Sequence, residues 1–291
     1  MKIGFLGLGV MGLPMVTNIV KKINEPVYGY DVIPKTLEEL KKVGGHPISD
    51  ATELYKTCDI IIQMLPTHPI IINSVESAIK YGKPGNVIID MSSTSPDIIL
   101  DLNKKVKNAK MHFLDSPVSG GNPGAIAGTL AIMTGGDKNV FDQVEFILKC
   151  MGTPTYVGRS GSGSLTKVIN QIIVGANLMG IAEAYALAEK AGLDLQTVFD
   201  ATRNGFVGGP AYEKKVPMII SRDFTPGARM QVHLKDILNA KHYAHKLGVD
   251  LPITDVVLNN MEWMKDNKII NEDQIAVIKY YEAKMEINSD K

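Results

Sequence analysis

The sequence predicts an α/β chain in two parts, a doubly wound parallel sheet over residues 1–161 and an all-helical domain over residues 162–291 entered by one long helix. Three observations predict it. Short apolar runs alternate with helical stretches up to about residue 158; a glycine-rich segment, Gly158-Arg159-Ser160-Gly161-Ser162-Gly163, then breaks the alternation; and only helical patterning follows. Strands that are apolar without interruption are those covered on both faces, as parallel strands flanked by helices are.

The candidate strands are Lys2 to Leu6, Pro26 to Tyr30, Ile60 to Met64, Val87 to Asp90, Met111 to Ser116, Ala131 to Thr134 and Thr155 to Val157. Segments such as Met11 to Ile23 and Leu37 to Lys42 supply intervening helices. Past the glycine-rich break a helix is expected from near Ser164 to about Lys190, with Gly192 as its stop, a length of roughly 40 Å at 1.5 Å per residue. Its apolar residues encircle the axis, as in Ile172-Ile173-Val174, which predicts burial on several sides, part of it under a partner subunit. Further helices are expected at Leu195 to Thr202, Pro210 to Ile220, Met230 to Leu247, Pro252 to Asn267 and Asp273 to Lys284.

Charge and composition narrow the function classes. The 31 basic residues balance 31 acidic ones, with no long basic run, so neither a nucleic acid nor an anionic membrane is an expected partner. No stretch of about 18 apolar residues is free of charge, and no membrane span is expected. Cys58 and Cys150 lack metal-ligand spacing and read as reduced, buried thiols of a cytoplasmic protein. The histidines are scattered, without H-E-x-x-H, and no metal is expected. The apolar N-terminus imitates a signal peptide, but Gly4, Gly7, Gly9 and Gly12 break its run.

Those glycines have a better explanation. Gly7-Leu8-Gly9-Val10-Met11-Gly12 follows an apolar strand and opens a helix, the context in which G-x-G-x-x-G has a mechanism. Gly7 permits the sharp turn, Gly9 leaves bare backbone for a pyrophosphate, and Gly12 lets helix and strand pack closely, while the helix N-terminus faces the anion. A second short strand ends at Asp31, 22 residues past Gly9, close to the roughly 20 expected of the carboxylate that hydrogen-bonds an adenosine ribose. Read alone, Asp31 is a turn residue before Ile33-Pro34; read with the glycines, it completes a Rossmann dinucleotide fingerprint. Its charge favours NAD over NADP, with Lys35 softening that preference and NADP as the alternative cofactor.

Two further clusters carry chemistry. Lys167, Asn170 and Gln171 stand at i, i+3 and i+4, so a helix stacks three polar groups on one stripe of an otherwise apolar element. Ser119-Gly120-Gly121 offers a hydroxyl and two unencumbered backbone N–H groups, a combination suited to a carboxylate or, alternatively, to an ordinary turn. Transfer of a hydride from an alcohol carbon requires a base for the hydroxyl proton. A free lysine, near pKa 10.4, serves at neutral pH only when burial or a second cation such as Lys235 lowers it.

Taken with the fingerprint, Asp115-Ser116-Pro117-Val118-Ser119-Gly120-Gly121, Gly161-Ser162-Gly163 leading to Lys167-Val168-Ile169-Asn170-Gln171, and His233-Leu234-Lys235-Asp236 resemble the β-hydroxyacid dehydrogenases. The resemblance runs from Gly4 to about Thr254 and is nearest to the 3-hydroxyisobutyrate dehydrogenase and tartronate semialdehyde (2-hydroxy-3-oxopropionate) reductase types. Asn170 to Val174 and Phe224-Thr225-Pro226-Gly227 resemble the latter. It implies a reversible NAD(P)-dependent oxidation of a small 3-hydroxy acid to a semialdehyde, in a homodimer or homotetramer. It also implies roles: Lys167 as catalytic lysine, Asn170 binding the substrate hydroxyl or orienting Lys167, and Ser119, Gly120 and Gly121 holding the substrate carboxylate, with Gln171 ranked below Asn170 at the substrate. Lys235 is implied at the nicotinamide end of the cofactor, Leu65 and Pro66 along its crevice, and Ser93 at its ribose or the substrate.

Three rivals remain. An imine reductase shares the architecture but generally replaces the lysine, and a 6-phosphogluconate dehydrogenase needs a much longer helical C-terminal region. A non-catalytic dinucleotide sensor typically loses the lysine that this chain keeps. The substrate's remote end is expected to meet the loop Arg203 to Pro210, and the sequence does not choose among acids.

Overall fold

Among residues 1–287, which the computed structural model describes, nine strands form one sheet: β1 (Ile3–Leu6), β2 (Val27–Tyr30), β3 (His46–Pro47), β4 (Ile60–Gln63), β5 (Val87–Asp90), β6 (His112–Asp115), β7 (Val118–Ser119), β8 (Leu130–Gly135) and β9 (Gly152–Gly158). Their order is β3-β2-β1-β4-β5-β6-β8-β7, with β9 paired to β8. Helices α1 (Gly12–Lys22), α2 (Pro34–Lys42), α3 (Ala51–Thr57), α4 (His68–Tyr81), α5 (Pro96–Asn108), α6 (Gly121–Ala127) and α7 (Lys138–Met151) complete this part of the chain.

Period-two alternation decides which face each side chain serves. Ile3, Phe5, Ile60, Ile62, Val87, Ile89 and Leu114 pack with Met15 and Ile19 of α1 and Val144 and Ile147 of α7. Their neighbours Leu6, Ile61, Ile88 and Phe113 turn the other way, onto Leu54 of α3, Val75 of α4 and Leu102 of α5. Both faces are therefore dry, and each such side chain contributes on the order of 1.5–3 kcal/mol. This is why the strands read as unbroken apolar runs.

The parallel pattern holds from β3 through β6, but β8 runs antiparallel to both β6 and β7. Loop length explains the departure from an all-parallel sheet. The segment 120–129 between β7 and β8 is shorter than the dozen or so residues a parallel crossover needs. β9 starts at Gly152, ahead of the expected Thr155, because its side chains alternate between exposed and part-buried and give no continuous apolar run.

The chain divides into two compact units, residues 1–167 and 168 onward. The long helix α8 (Ser162–Lys190) spans the division, and α9 (Leu195–Thr202), α10 (Pro210–Ser221), α11 (Met230–Leu247), α12 (Pro252–Asp266) and α13 (Ile278–Lys284) follow. Leu178, Ala182 and Tyr185 of α8 form the second unit's core with Val216, Ile219, Ile237, Met261 and Met264. The helix expected over 273–284 is split: Gln274–Val277 is a 3-10 turn before α13. The fully buried Asp273 accounts for this, accepting from the N–H groups of Gly227, Ala228 and Ile275 and from Lys215 Nζ. Residues 288–291 of the expected second domain lie outside the described residues.

An 18-residue window of α8 reaches a mean hydropathy of 1.3, so by length and composition alone this helix could cross a membrane. Glu183 interrupts its apolar run. The buried Leu178, Met179 and Ala182 give the helix the same composition for a different reason, since they fill the core of the second unit.

The start of α8 is anchored by a carboxylate from the sheet. Asp115, at the end of β6, accepts from the N–H groups of Gly161 (2.9 Å) and Ser164 (2.8 Å), and the Ser164 hydroxyl donates to the Thr94 carbonyl. Ser164 is one of the first-turn donors that a helix leaves without an internal partner, so Asp115 caps α8 from another element. Beside it in register, Asp90 ends β5 and accepts from Gln63, Thr94 and the Ser92 N–H. Burial pushes both carboxyls upward, Asp115 to about 6 from an ordinary 3.8.

A carboxyl whose pKa rises on folding binds its proton more tightly in the folded state, so its contribution to stability is greatest below the unfolded pKa and declines as pH rises toward the folded one. Denaturant unfolding measured from about pH 4 to pH 7 should show Asp115 contributing a fall of up to about 3 kcal/mol. Asp115→Asn should flatten that slope; an unchanged slope would contradict the buried-carboxyl account.

Candidate active site

The first group of site residues gathers where the strand order reverses, at the carboxyl ends of β1 and β4, the usual ligand position in such sheets. Gly7 has φ +88°, and a Cβ there would lie 2.3 Å from the Met64 carbonyl oxygen, so only glycine fits between β1 and β4. A Cβ on Gly12 would sit 1.8 Å from the Gly7 carbonyl oxygen, which explains the third glycine. Gly9 differs from both: a Cβ there would meet nothing within 4 Å. The backbone at Gly9 is thus open, with room beside it that the other two glycines lack. The first turn of α1 holds no acidic residue and no side-chain cap, which leaves its N-terminal field to an anion.

Asp31, at the end of β2, accepts from the Leu8 N–H (2.6 Å) and the Ile33 N–H (2.9 Å). One carboxylate thereby ties the glycine turn to the end of the next strand, joining the two halves of the fingerprint directly. The exposed backbone at Gly9, the open N-terminus of α1 and this acidic side chain together fit a dinucleotide.

Around this turn stand the other residues of the first unit. The Leu65 N–H donates to the buried Ser92 hydroxyl (2.9 Å), which fixes the loop after β4; Leu65 is half-buried and Pro66 exposed. Ser93 is part-buried between the buried Ser92 and Thr94. Ser119 closes β7, and Gly120 (φ +135°) and Gly121 (φ +63°) turn the chain into α6 through conformations a side chain would strain. Asn122 donates to the Val10 carbonyl (2.7 Å), so this turn lies alongside the glycine loop. Lys167 lies one helical turn past Ser164 on α8 and closes the unit.

The second unit holds a connected polar chain. Asn170 Nδ2 donates to Gln171 Oε1 (2.8 Å), Gln171 Nε2 donates to Asp236 Oδ2 (2.7 Å), and Lys235 Nζ lies 4.0 Å from Asp236 Oδ1. His233 Nε2 is 2.9 Å from the Gln171 carbonyl oxygen, which fastens α11 to α8. Gln171 is 7% exposed and Asp236 3%, so these bonds form in a dry setting where each counts for more.

The structure therefore brings Gly7 to Gly12, Asp31, Leu65, Pro66, Ser93 and Ser119 to Gly121 to one end of the sheet, and Asn170, Gln171 and Lys235 together in the helical unit. Sequence reasoning missed the roles of Asp90, Asp115 and Gln63. A signal was there: Ile88-Ile89-Asp90 and Phe113-Leu114-Asp115 each end an apolar strand on a carboxylate, at positions that prove to be register partners.

Comparison with known proteins agrees with this geometry. Residues 2–161 match the family described as the NAD binding domain of 6-phosphogluconate dehydrogenase, and residues 161–281 that described as NAD-binding of NADP-dependent 3-hydroxyisobutyrate dehydrogenase. The 2-(hydroxymethyl)glutarate dehydrogenase of Eubacterium barkeri is 34% identical over 97% of this chain and 95% of its own length. The 2-hydroxy-3-oxopropionate reductase of Escherichia coli K12 is 36% identical over 87% and 88%. Among solved structures, Mycobacterium tuberculosis 3-hydroxyisobutyrate dehydrogenase with L-serine superposes with a TM-score of 0.88 at 30% identity, covering 96% of this chain and 98% of that one. With the fingerprint at the sheet's switch point and relatives of this closeness along nearly its whole length, the chain belongs to the β-hydroxyacid dehydrogenase family and is an NAD(P)-dependent oxidoreductase.

Proposed function

We propose that this chain interconverts a small 3-hydroxy acid and its semialdehyde, with NAD as the preferred cofactor and Lys167 as the general acid and base. The observation that carries the reading is Lys167 itself, one turn past the capped start of α8 and one turn before Asn170. The names of the relatives sharpen the substrate class. 3-Hydroxyisobutyrate, 2-(hydroxymethyl)glutarate and the alcohol matching 2-hydroxy-3-oxopropionate share a CH2OH group on the carbon next to a carboxylate, and differ only in that carbon's third substituent. A primary alcohol β to a carboxylate is therefore the core we assign here.

In this reading Gly7 to Gly12 and Asp31 would hold NAD(P), which would supply the hydride acceptor for oxidation of the alcohol carbon and the hydride donor for the reverse reaction. Neutral Lys167 takes the hydroxyl proton as the C–O bond gains double-bond character, and protonated Lys167 returns it in the other direction. Asn170 bonds the substrate oxygen or holds Lys167 beside it. Ser119 and the backbone N–H groups of Gly120 and Gly121 hold the carboxylate, fixing which carbon presents its hydrogen. Gln171, bonded at one end to Asn170 and at the other to Asp236, serves as a support for Asn170. Lys235 is assigned to the nicotinamide side, and Leu65, Pro66 and Ser93 to the cofactor's flank. The reading extends to a homo-oligomer: Ile169, Ile173 and Leu187 on α8 are each more than half exposed, an apolar surface a second copy would cover.

Lys167→Met should lower kcat by roughly 10²–10⁴, the usual worth of a positioned acid–base group, while leaving NADH binding intact. The wild-type rate of alcohol oxidation should rise with pH along a limb that this variant lacks, and near-normal turnover or an unchanged limb would refute the assignment. On the cofactor, the carboxylate of Asp31 repels a 2′-phosphate, so kcat/KM should favour NAD over NADP by about tenfold or more. Equal efficiency with both would remove Asp31 from that role. A panel of acids sharing the CH2OH–CH–carboxylate core should be turned over, whereas 2-hydroxy acids that lack the CH2OH group should not.

A further inference from the structure

We propose that Asp236 is a positioning residue that sets the direction of the Asn170 amide through Gln171. The proposal rests on the assignment of Asn170 to the substrate and starts from a property of the donors and acceptors involved. An ionised carboxylate only accepts hydrogen bonds, whereas a carboxamide has one accepting end and one donating end. Asp236 Oδ2 lies 2.7 Å from the Gln171 amide, so Gln171 must turn its nitrogen toward it. That leaves Gln171 Oε1 toward Asn170, 2.8 Å away, and only the nitrogen of Asn170 can answer an oxygen. Asn170 Oδ1 is consequently the end committed to no part of this chain of bonds.

The polarity of the chain is thus fixed at one end by a charge and delivered at the other as an acceptor at Asn170. Such an acceptor suits a substrate hydroxyl or a lysine ammonium, the two groups that donate a proton in the proposed reaction. Burial gives the arrangement its force: Gln171 is 7% exposed and Asp236 3%, so a reversed amide would face oxygen to oxygen where no water relieves it. The Gln171 backbone is held as well, its carbonyl oxygen 2.9 Å from His233 Nε2 on the same helix as Asp236. Lys235 Nζ stands 4.0 Å from the other Asp236 oxygen.

If polarity rather than mere contact is what matters, moving the carboxylate one link along should restore it. In Asp236→Asn the side chain at 236 can offer Gln171 either an oxygen or an N–H, so it no longer dictates the direction at Asn170. In the double variant Gln171→Glu/Asp236→Asn, the carboxylate at 171 accepts from the new amide at 236 and from Asn170 Nδ2, the net charge is unchanged, and Asn170 again presents Oδ1.

The experiment measures kcat and KM for oxidation of a turned-over CH2OH–CH–carboxylate acid by wild type, Asp236→Asn, Gln171→Glu and the double variant. NADH binding and the fluorescence of Trp263, the single tryptophan, which lies in the helical unit, report folding. We expect kcat to drop at least tenfold in Asp236→Asn, where the direction is lost, and in Gln171→Glu, where two carboxylates face each other, and to recover to within about threefold of wild type in the double variant, with KM for the cofactor little changed. A role in packing alone would make the two substitutions additive or worse. Recovery in the double variant supports the proposal even if Asp236→Asn folds poorly; full activity in Asp236→Asn, or no recovery in the double variant, overturns it. Lys167→Met in the same assay separates the two levels: if it retains turnover, the functional reading has failed, and if it is inactive while the recovery is absent, only the role of Asp236 has.

Discussion

The grip of Asp115 on the first turn of α8 is the constraint on which the placement of Lys167 depends. A 29-residue helix that carries polar groups at set positions is useful only if its start is fixed in rotation and height. The sheet provides this through two backbone N–H groups, at Gly161 and Ser164, and through the Ser164 hydroxyl bonded to the Thr94 carbonyl. Asp90 in turn holds Thr94 and Gln63, so the ends of β4, β5 and β6 are laced together beneath the helix start. Burying carboxyls has an energetic cost, visible in their upward-shifted pKa values, and the cost is tolerated where it defines one geometry. Helical periodicity then transmits that definition from Ser164 to Lys167, one turn on.

Other glycine and amide contacts follow a similar logic of excluding alternatives. Gly7 and Gly12 are glycine because backbone oxygen occupies the space a Cβ would take, whereas Gly9 is glycine with nothing beside it. The same residue type thus serves close packing at two positions and leaves the backbone open at the third. Likewise Gln171 and Asn170 are ordinary carboxamides until Asp236 makes one orientation of each preferable.

Most of the architecture was legible because burial on both sheet faces leaves a simple trace, the unbroken apolar strand. Where a strand was partly exposed, as in β9, or only two residues long, as in β3 and β7, that trace vanished. The antiparallel turn of β8 was hidden as well, since direction is set by loop length and not by strand composition. In the site, Gly7 to Gly12 and Asp31 were readable because their spacing along the chain encodes their contact. The carboxylate of Asp115 was not, because its partners lie far away in sequence: 46 residues separate it from Gly161. The pairing of Gln171 with Asp236, 65 residues apart, was beyond sequence reading for the same reason.

The role proposed for Lys167, carrying the proton in a hydride-transfer reaction on a small hydroxy acid, can be put to chemical rescue. Lys167→Ala should be nearly inactive with NAD and a CH2OH–CH–carboxylate acid, and added small primary amines should restore turnover in proportion to their concentration and increasingly with their basicity, as general-base catalysis requires. Retained activity without amine, or folded Lys167→Ala that no amine of comparable size restores, would contradict the account.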